Sequence, residues 1–179
     1  RALNALTMFT SIIIDDESKA RTNLRNLLNS YFEEVEILHD YASPKQAIED
    51  LQGNLKVDCI FLDIEMPEMS GFDFLERIDR SKIMVVFVTA YSSYALKAIK
   101  QNALDYILKP IKISELKGAV AKMQDRKRLM TQRSEQDIYA SSVEATIQSI
   151  KGKTSSKITI PASNGFKIID SNDIVSIKA

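Results

Sequence analysis

The chain has 179 residues, enough for one domain of ordinary size and a smaller companion. Lysine plus arginine and aspartate plus glutamate each number 24, which excludes a global field drawing the chain onto nucleic acid or an anionic membrane. Cys59 is the only cysteine, so neither a disulfide framework nor a cysteine zinc site can form, and a reducing, cytoplasmic compartment fits that usage.

Residues 1–7, RALNALT, are too short and too polar for a signal peptide and read as a remnant foreign to the natural protein. From there short apolar runs alternate with amphipathic segments as far as Met130. Strands are predicted at 10–14 (TSIII), 35–39 (VEILH), 57–62 (VDCIFL), 83–88 (IMVVFV) and 105–108 (DYIL), several of them continuous Ile/Val runs of the kind covered on both faces. The first helix, 18–32, places Ala20, Leu24, Leu27, Leu28 and Phe32 on one face. Ser43-Pro44 is an N-cap followed by a first-turn proline and opens a second helix to Leu51. Two more are predicted at 72–80 and 92–101, and a fifth from Ser114 carries Leu116, Val120, Met123 and Met130 on a stripe that should pack back on the sheet. The Arg126-Lys127-Arg128 triplet after it reads as a solvated face. Strands alternating with helices in this way predict an α/β fold, a doubly wound, five-stranded parallel sheet.

In such sheets ligands bind at the carboxyl ends of the strands. Asp15, Asp16 and Glu17 follow the first strand, Asp63 ends the third, Thr89 the fourth, and Lys109-Pro110 the fifth. One such acid could simply be solvated or cap a helix; several gathered at one edge with an ammonium need a shared cation. Hard oxygen ligands without His or Cys favour Mg²⁺. With a lysine and a hydroxyl, such a pocket is equipped for phosphoryl transfer in which an aspartate is the nucleophile.

Four motifs carry a resemblance: IIIDDE at 12–17, FLDIEMPEMSGFDFL at 61–75, VTAY at 88–91 and DYILKP at 105–110. In that order they resemble the receiver domain of two-component response regulators, with its flavodoxin-like fold, over residues 8–130. The resemblance implies that Asp63 takes a phosphoryl group from a histidine kinase and that Asp16 binds Mg²⁺ directly. It makes Asp15 a partner acting through a metal-bound water, and adds the backbone carbonyl of Glu65 as a further ligand. Lys109 is implied to pair with the phosphoryl group, and Thr89 to donate its hydroxyl beside the Ala90 N–H. Tyr106 is implied to rotate inward as Thr89 moves, with 92–108 the readout and homodimer face. The Lys109-Pro110 bond is expected to be cis. His39, the sole histidine, reads as an ordinary strand-end residue.

Residues 131–156 gain Ser, Thr, Gln and Lys and read as a linker, with one short helix available in VEATIQSI at 143–150. From Lys157 the pattern turns to strands, KITIP, GFKII and DIVSIK, with Ser163-Asn164-Gly165 a hairpin turn signal. Residues 157–179 resemble the start of a LytTR-type DNA-binding domain, which implies a transcription regulator as parent protein. They supply about 23 residues of a domain of roughly 100, so DNA binding is expected of the parent and not of this stretch. A haloacid-dehalogenase-type phosphatase, with Asp63 as nucleophile and Glu65 as second acid, is the alternative. A phosphorylation-independent interaction module ranks below both, because the pocket lacks none of its parts.

Overall fold

The computed structural model describes residues 8–152, 157–162 and 165–170, with side-chain surroundings for 8–132. Its elements in chain order are β1 (Phe9–Ile14), α1 (Ser18–Tyr31), β2 (Val35–Tyr41), α2 (Pro44–Gln52), β3 (Cys59–Leu62), α3 (Gly71–Glu76), β4 (Met84–Thr89), α4 (Ala95–Lys100), β5 (Asp105–Leu108), α5 (Ile113–Gly152), β6 (Lys157–Ala162) and β7 (Gly165–Asp170). The first five strands form a parallel sheet of order β2-β1-β3-β4-β5, the flavodoxin-like arrangement, with its switch point between β1 and β3. Residues 1–7 lie outside the described residues.

Strand alternation builds two apolar layers. Ile13, Phe61, Val86 and Val88 face one side, where Leu24 and Leu28 of α1 and Leu116, Val120 and Met123 of α5 cover them. Ile12, Ile14, Ile60, Leu62 and Phe87 face the other, against Ala47 of α2, Phe72 and Phe74 of α3 and Ala98 of α4. Each fully buried side chain of this kind contributes about 1.5–3 kcal/mol. The α5 stripe thus packs back onto the sheet as far as Met123. Cys59 lies fully buried in the first layer, where burial pushes its thiol well above the usual range.

Several boundaries differ from the sequence reading. β3 begins only at Cys59, because the Asp58 carboxylate turns back to accept from the Thr10 N–H at 3.0 Å. α3 ends at Glu76 and α4 begins at Ala95, both shorter than the periodicity predicts. β2 runs on to Tyr41, so His39 lies within the strand, exposed, and not at its end. Lys127 is not simply solvated: its Nζ donates to the Met8 carbonyl at 2.6 Å and lies 4.7 Å from the Phe9 ring centroid.

The largest difference concerns residues 131–152. One short helix is predicted there, at 143–150, whereas α5 continues unbroken to Gly152. The composition is polar, but no glycine or proline occurs between Val120 and Lys151, and Ser, Thr and Gln cost a helix only tenths of a kcal/mol each, up to about 0.7. Contacts divide the chain into two compact units, Arg1–Lys127 and Arg128–Ala179. In the second, β6 and β7 form an antiparallel ladder in which Ala162 pairs with Gly165, the register of a two-residue hairpin loop. The predicted strand DIVSIK at 173–178 lies outside the described residues.

Candidate functional site

Parallel pairing carries the polar residues to one edge. The Asp15 N–H donates to the Tyr41 carbonyl at 3.1 Å, the Asp63 N–H to the Ile14 carbonyl at 2.9 Å and the Lys109 N–H to the Thr89 carbonyl at 2.8 Å. Each residue that leaves a strand is therefore still fixed by its neighbour. The backbone bends sharply after Asp63, and Gly71 closes the loop by donating to the Ile64 carbonyl at 2.8 Å. A Cβ at Gly71 would stand 2.3 Å from the Asp63 carbonyl oxygen, so only glycine fits there.

The Asp15, Asp16 and Asp63 carboxylates offer oxygens within 4.8 Å of one another; Asp15 and Asp63 are buried and Asp16 is exposed. Lys109 reaches into this group from the strand end, its Nζ 2.7 Å from Asp15 Oδ2 and 2.8 Å from Asp63 Oδ2. The Lys109-Pro110 bond is cis. The other oxygens are held as well: Asp15 Oδ1 accepts from the Glu17 N–H at 2.8 Å and Asp63 Oδ1 from the Ile64 N–H at 2.7 Å. Burial pushes the Asp15 carboxyl above its ordinary value, against the opposing pull of Lys109 and the Glu17 N–H. Burial also opposes the charge on Lys109, but its hydrogen bonds to Asp15 and Asp63 prevail and raise it. Three carboxylates on one ammonium leave negative charge in excess, and an all-oxygen donor set at this spacing fits a hard divalent cation such as Mg²⁺.

Thr89, fully buried at the end of β4, has no hydrogen-bond partner for its Oγ1. A buried hydroxyl without a partner is costly, and here it stands beside the strand end that bears Lys109. Ala90 follows at the exposed edge. Tyr106 on β5 is half-buried, its ring 6.3 Å from that of Phe87, and its hydroxyl donates to the Tyr91 carbonyl. Burial, aided by the Asp63 charge, raises the Tyr106 hydroxyl above its ordinary value. Glu65 lies two residues past Asp63 with its side chain exposed.

Two contacts have no signal in the sequence. Arg21 of α1 donates from a guanidinium nitrogen to the Asp15 carbonyl at 2.7 Å, bracing the acidic turn from behind. Tyr94 donates its hydroxyl to Glu65 Oε1 at 2.5 Å, joining residues 29 apart in sequence. Neither spacing follows a local rule.

Residues 12–121 match the response regulator receiver domain family. The transcriptional regulatory protein BtsR of Salmonella typhi is 38% identical over 132 residues, 73% of this chain and 52% of that protein. BtsR of Escherichia coli strain K12 is 36% identical over the same shares, 73% and 52%. The chain thus spans about half the length of the curated relatives it matches. The response regulatory domain of mrkE from Klebsiella pneumoniae superposes with TM-score 0.61 at 33% identity, covering 67% of this chain and 98% of that one. TrrA from Thermotoga maritima, solved in complex with Mg(2+)-BeF, gives TM-score 0.56 at 30% identity, covering 65% and 99%. These matches do not favour the haloacid-dehalogenase alternative. The chain belongs to the response regulator receiver domain family of two-component systems.

Proposed function

We propose that Asp63 is the phosphoacceptor of a Mg²⁺-dependent switch. The observation that carries this reading is the placement of the Lys109 ammonium between Asp15 and Asp63, 2.7 and 2.8 Å away, beside the buried and unpartnered Thr89 hydroxyl. An Asp63 carboxylate oxygen attacks the phosphorus of a kinase phosphohistidine; the P–N bond breaks, and the imidazole leaves with the electron pair and takes up a proton. Asp16 and Asp63, the Glu65 carbonyl and, through water, Asp15 would hold Mg²⁺, which supplies positive charge against the phosphoryl oxygens. Lys109 pairs with one of those oxygens, and Thr89 and the Ala90 N–H donate to another.

The attached group carries about two negative charges and three acceptor oxygens. It draws in the Thr89 hydroxyl, and Tyr106 gives up Tyr91 and turns into the space released. The face over 92–108 then changes, biasing a two-state element by local charge. Leu96 and Ile99 of α4 are 75% and 71% exposed on this face and support a homodimer contact there. The BtsR proteins that resemble this chain are named as transcriptional regulators, which supports the same output here, through a LytTR-type domain beginning near Lys157. Among the described residues no helix is long and apolar enough to cross a membrane, and the setting we propose is cytoplasmic, with a sensor histidine kinase and, for the parent protein, DNA as partners.

The test is intact mass after exposure to acetyl phosphate and Mg²⁺. Wild type should gain one phosphoryl group and Asp63→Ala none; an equal gain on both would reject the assignment. Tyr106→Ala should still be phosphorylated while its phosphorylation-dependent dimerisation weakens.

A further inference from the structure

Asp15 and Asp16 leave β1 as consecutive residues, yet they are held by different means. Asp15 is buried, and its carboxylate meets the Lys109 ammonium and the Glu17 N–H. Asp16 is exposed, and among the described residues no hydrogen bond or ion pair holds its carboxylate. Its direction is therefore set by its backbone. The peptide unit joining Asp15 to Asp16 is planar, so fixing the Asp15 carbonyl also fixes the nitrogen and Cα of Asp16. Arg21 supplies that hold, a guanidinium nitrogen donating to the Asp15 carbonyl at 2.7 Å. Its own N–H donates to the Glu17 carbonyl at 3.1 Å in the first turn of α1, where side chains lean toward the start of the helix. The guanidinium charge is offset by Asp40 of β2, 3.7 Å from Nε, an acid that also accepts from Arg25 at 2.8 Å.

We infer that Arg21 is a positioning residue for the metal site, aiming Asp16 through the Asp15 carbonyl without being a ligand itself. The inference rests on the Mg²⁺-dependent reading of the carboxylate pocket and adds a residue to the apparatus that holds the ion. It makes a demand that charge alone does not. A guanidinium near a dication repels it, so as a bare charge Arg21 would weaken binding and its removal would tighten it. As a hold on the Asp15–Asp16 peptide, its removal loosens binding, since outer partners that orient metal ligands are typically worth about 10–100-fold in affinity. The two effects have opposite signs. Asp40 offsets the charge, whereas nothing else from outside the turn bonds the Asp15 carbonyl among the described residues, so the hold prevails.

The experiment is a Mg²⁺ titration of the full chain without phosphodonor, followed by amide chemical shifts in isotope-labelled protein. Arg21→Met keeps the stem and removes the guanidinium. Arg25→Met removes a like charge from the same Asp40 and leaves the Asp15 carbonyl its partner. Thermal unfolding fixes a temperature at which every variant is folded. The Kd for Mg²⁺ should rise about tenfold in Arg21→Met, and in Arg25→Met it should fall or stay within about twofold of wild type. Arg21→Lys, which keeps the charge and a donor, should raise it by less than Arg21→Met. An unchanged or lower Kd in Arg21→Met, an equal rise in Arg25→Met, or a larger rise in Arg21→Lys would each overturn the role of Arg21. A wild-type chain in which Mg²⁺ shifts no amide of the pocket would instead overturn the metal reading, and the role of Arg21 with it.

Discussion

Lys109 bridges two buried carboxylates, and its own proton is correspondingly hard to remove. Its folded value is raised above the ordinary 10.5, so the stability it contributes is complete below that pH and is lost as the pH climbs through the raised value. Urea midpoints should therefore fall above pH ~10.5 in the wild type, and Lys109→Met should flatten that decline. Asp15 shifts in the same direction for a different reason. Its carboxyl is raised above 3.8, chiefly by burial, so the folded chain binds that proton more tightly and Asp15 costs stability as the pH rises past that point. Asp15→Asn should be more stable than wild type at neutral pH in the presence of a chelator, by about 1 kcal/mol in urea titrations. With Mg²⁺ added the advantage should shrink, because the variant lacks a carboxylate proposed to support the ion.

At the scale of elements, the turn after β3 is the least forgiving. Gly71→Ala drives a methyl against the Asp63 carbonyl, 2.3 Å away, and relief requires moving the very backbone that aims the Asp63 carboxylate. We expect a loss of about 2 kcal/mol by thermal or urea unfolding, and slower phosphorylation than the stability loss alone explains. Ser70 starts α3 with a reciprocal capping box, its hydroxyl accepting from the Asp73 N–H while Asp73 accepts from the Ser70 N–H. Ser70→Ala should cost about 1 kcal/mol in the same assay.

The five strands and first four helices were legible because each carries a period or a run that local physics dictates. The strand-end acids, Thr89 and Lys109 were legible for the same reason, since parallel order places every strand end on one edge. The ends of α3 and α4 were not, because tertiary contacts set them: Arg80, four residues past the end of α3, is drawn to the Gln101 carbonyl at 2.6 Å. The long extension of α5 carries no such signal, because its polar composition holds no apolar period, although it also holds no glycine or proline to stop the helix before Gly152. The Tyr94–Glu65 bond was invisible because it joins two loops through the fold.

For the whole molecule, the proposed dimer contact makes a quantitative demand. Leu96 and Ile99 lie one turn apart and are largely exposed, so Leu96→Glu should leave the unphosphorylated chain intact and weaken association of the phosphorylated form at least tenfold in sedimentation. An unaffected association constant would place the contact elsewhere.

Cys59 offers a further consequence. It is the only thiol in the chain, it begins the central strand of the sheet with none of its surface accessible, and burial holds it in its unreactive protonated form. A thiol reagent can reach it only when the strands part, so its modification rate at low reagent concentration is a stopwatch for opening of the whole domain. An ion or phosphate analogue that binds only the closed form at a hundred times its Kd should slow that clock about a hundredfold. Occupancy of the distant carboxylate edge can thus be read from a sulfur atom that never touches it.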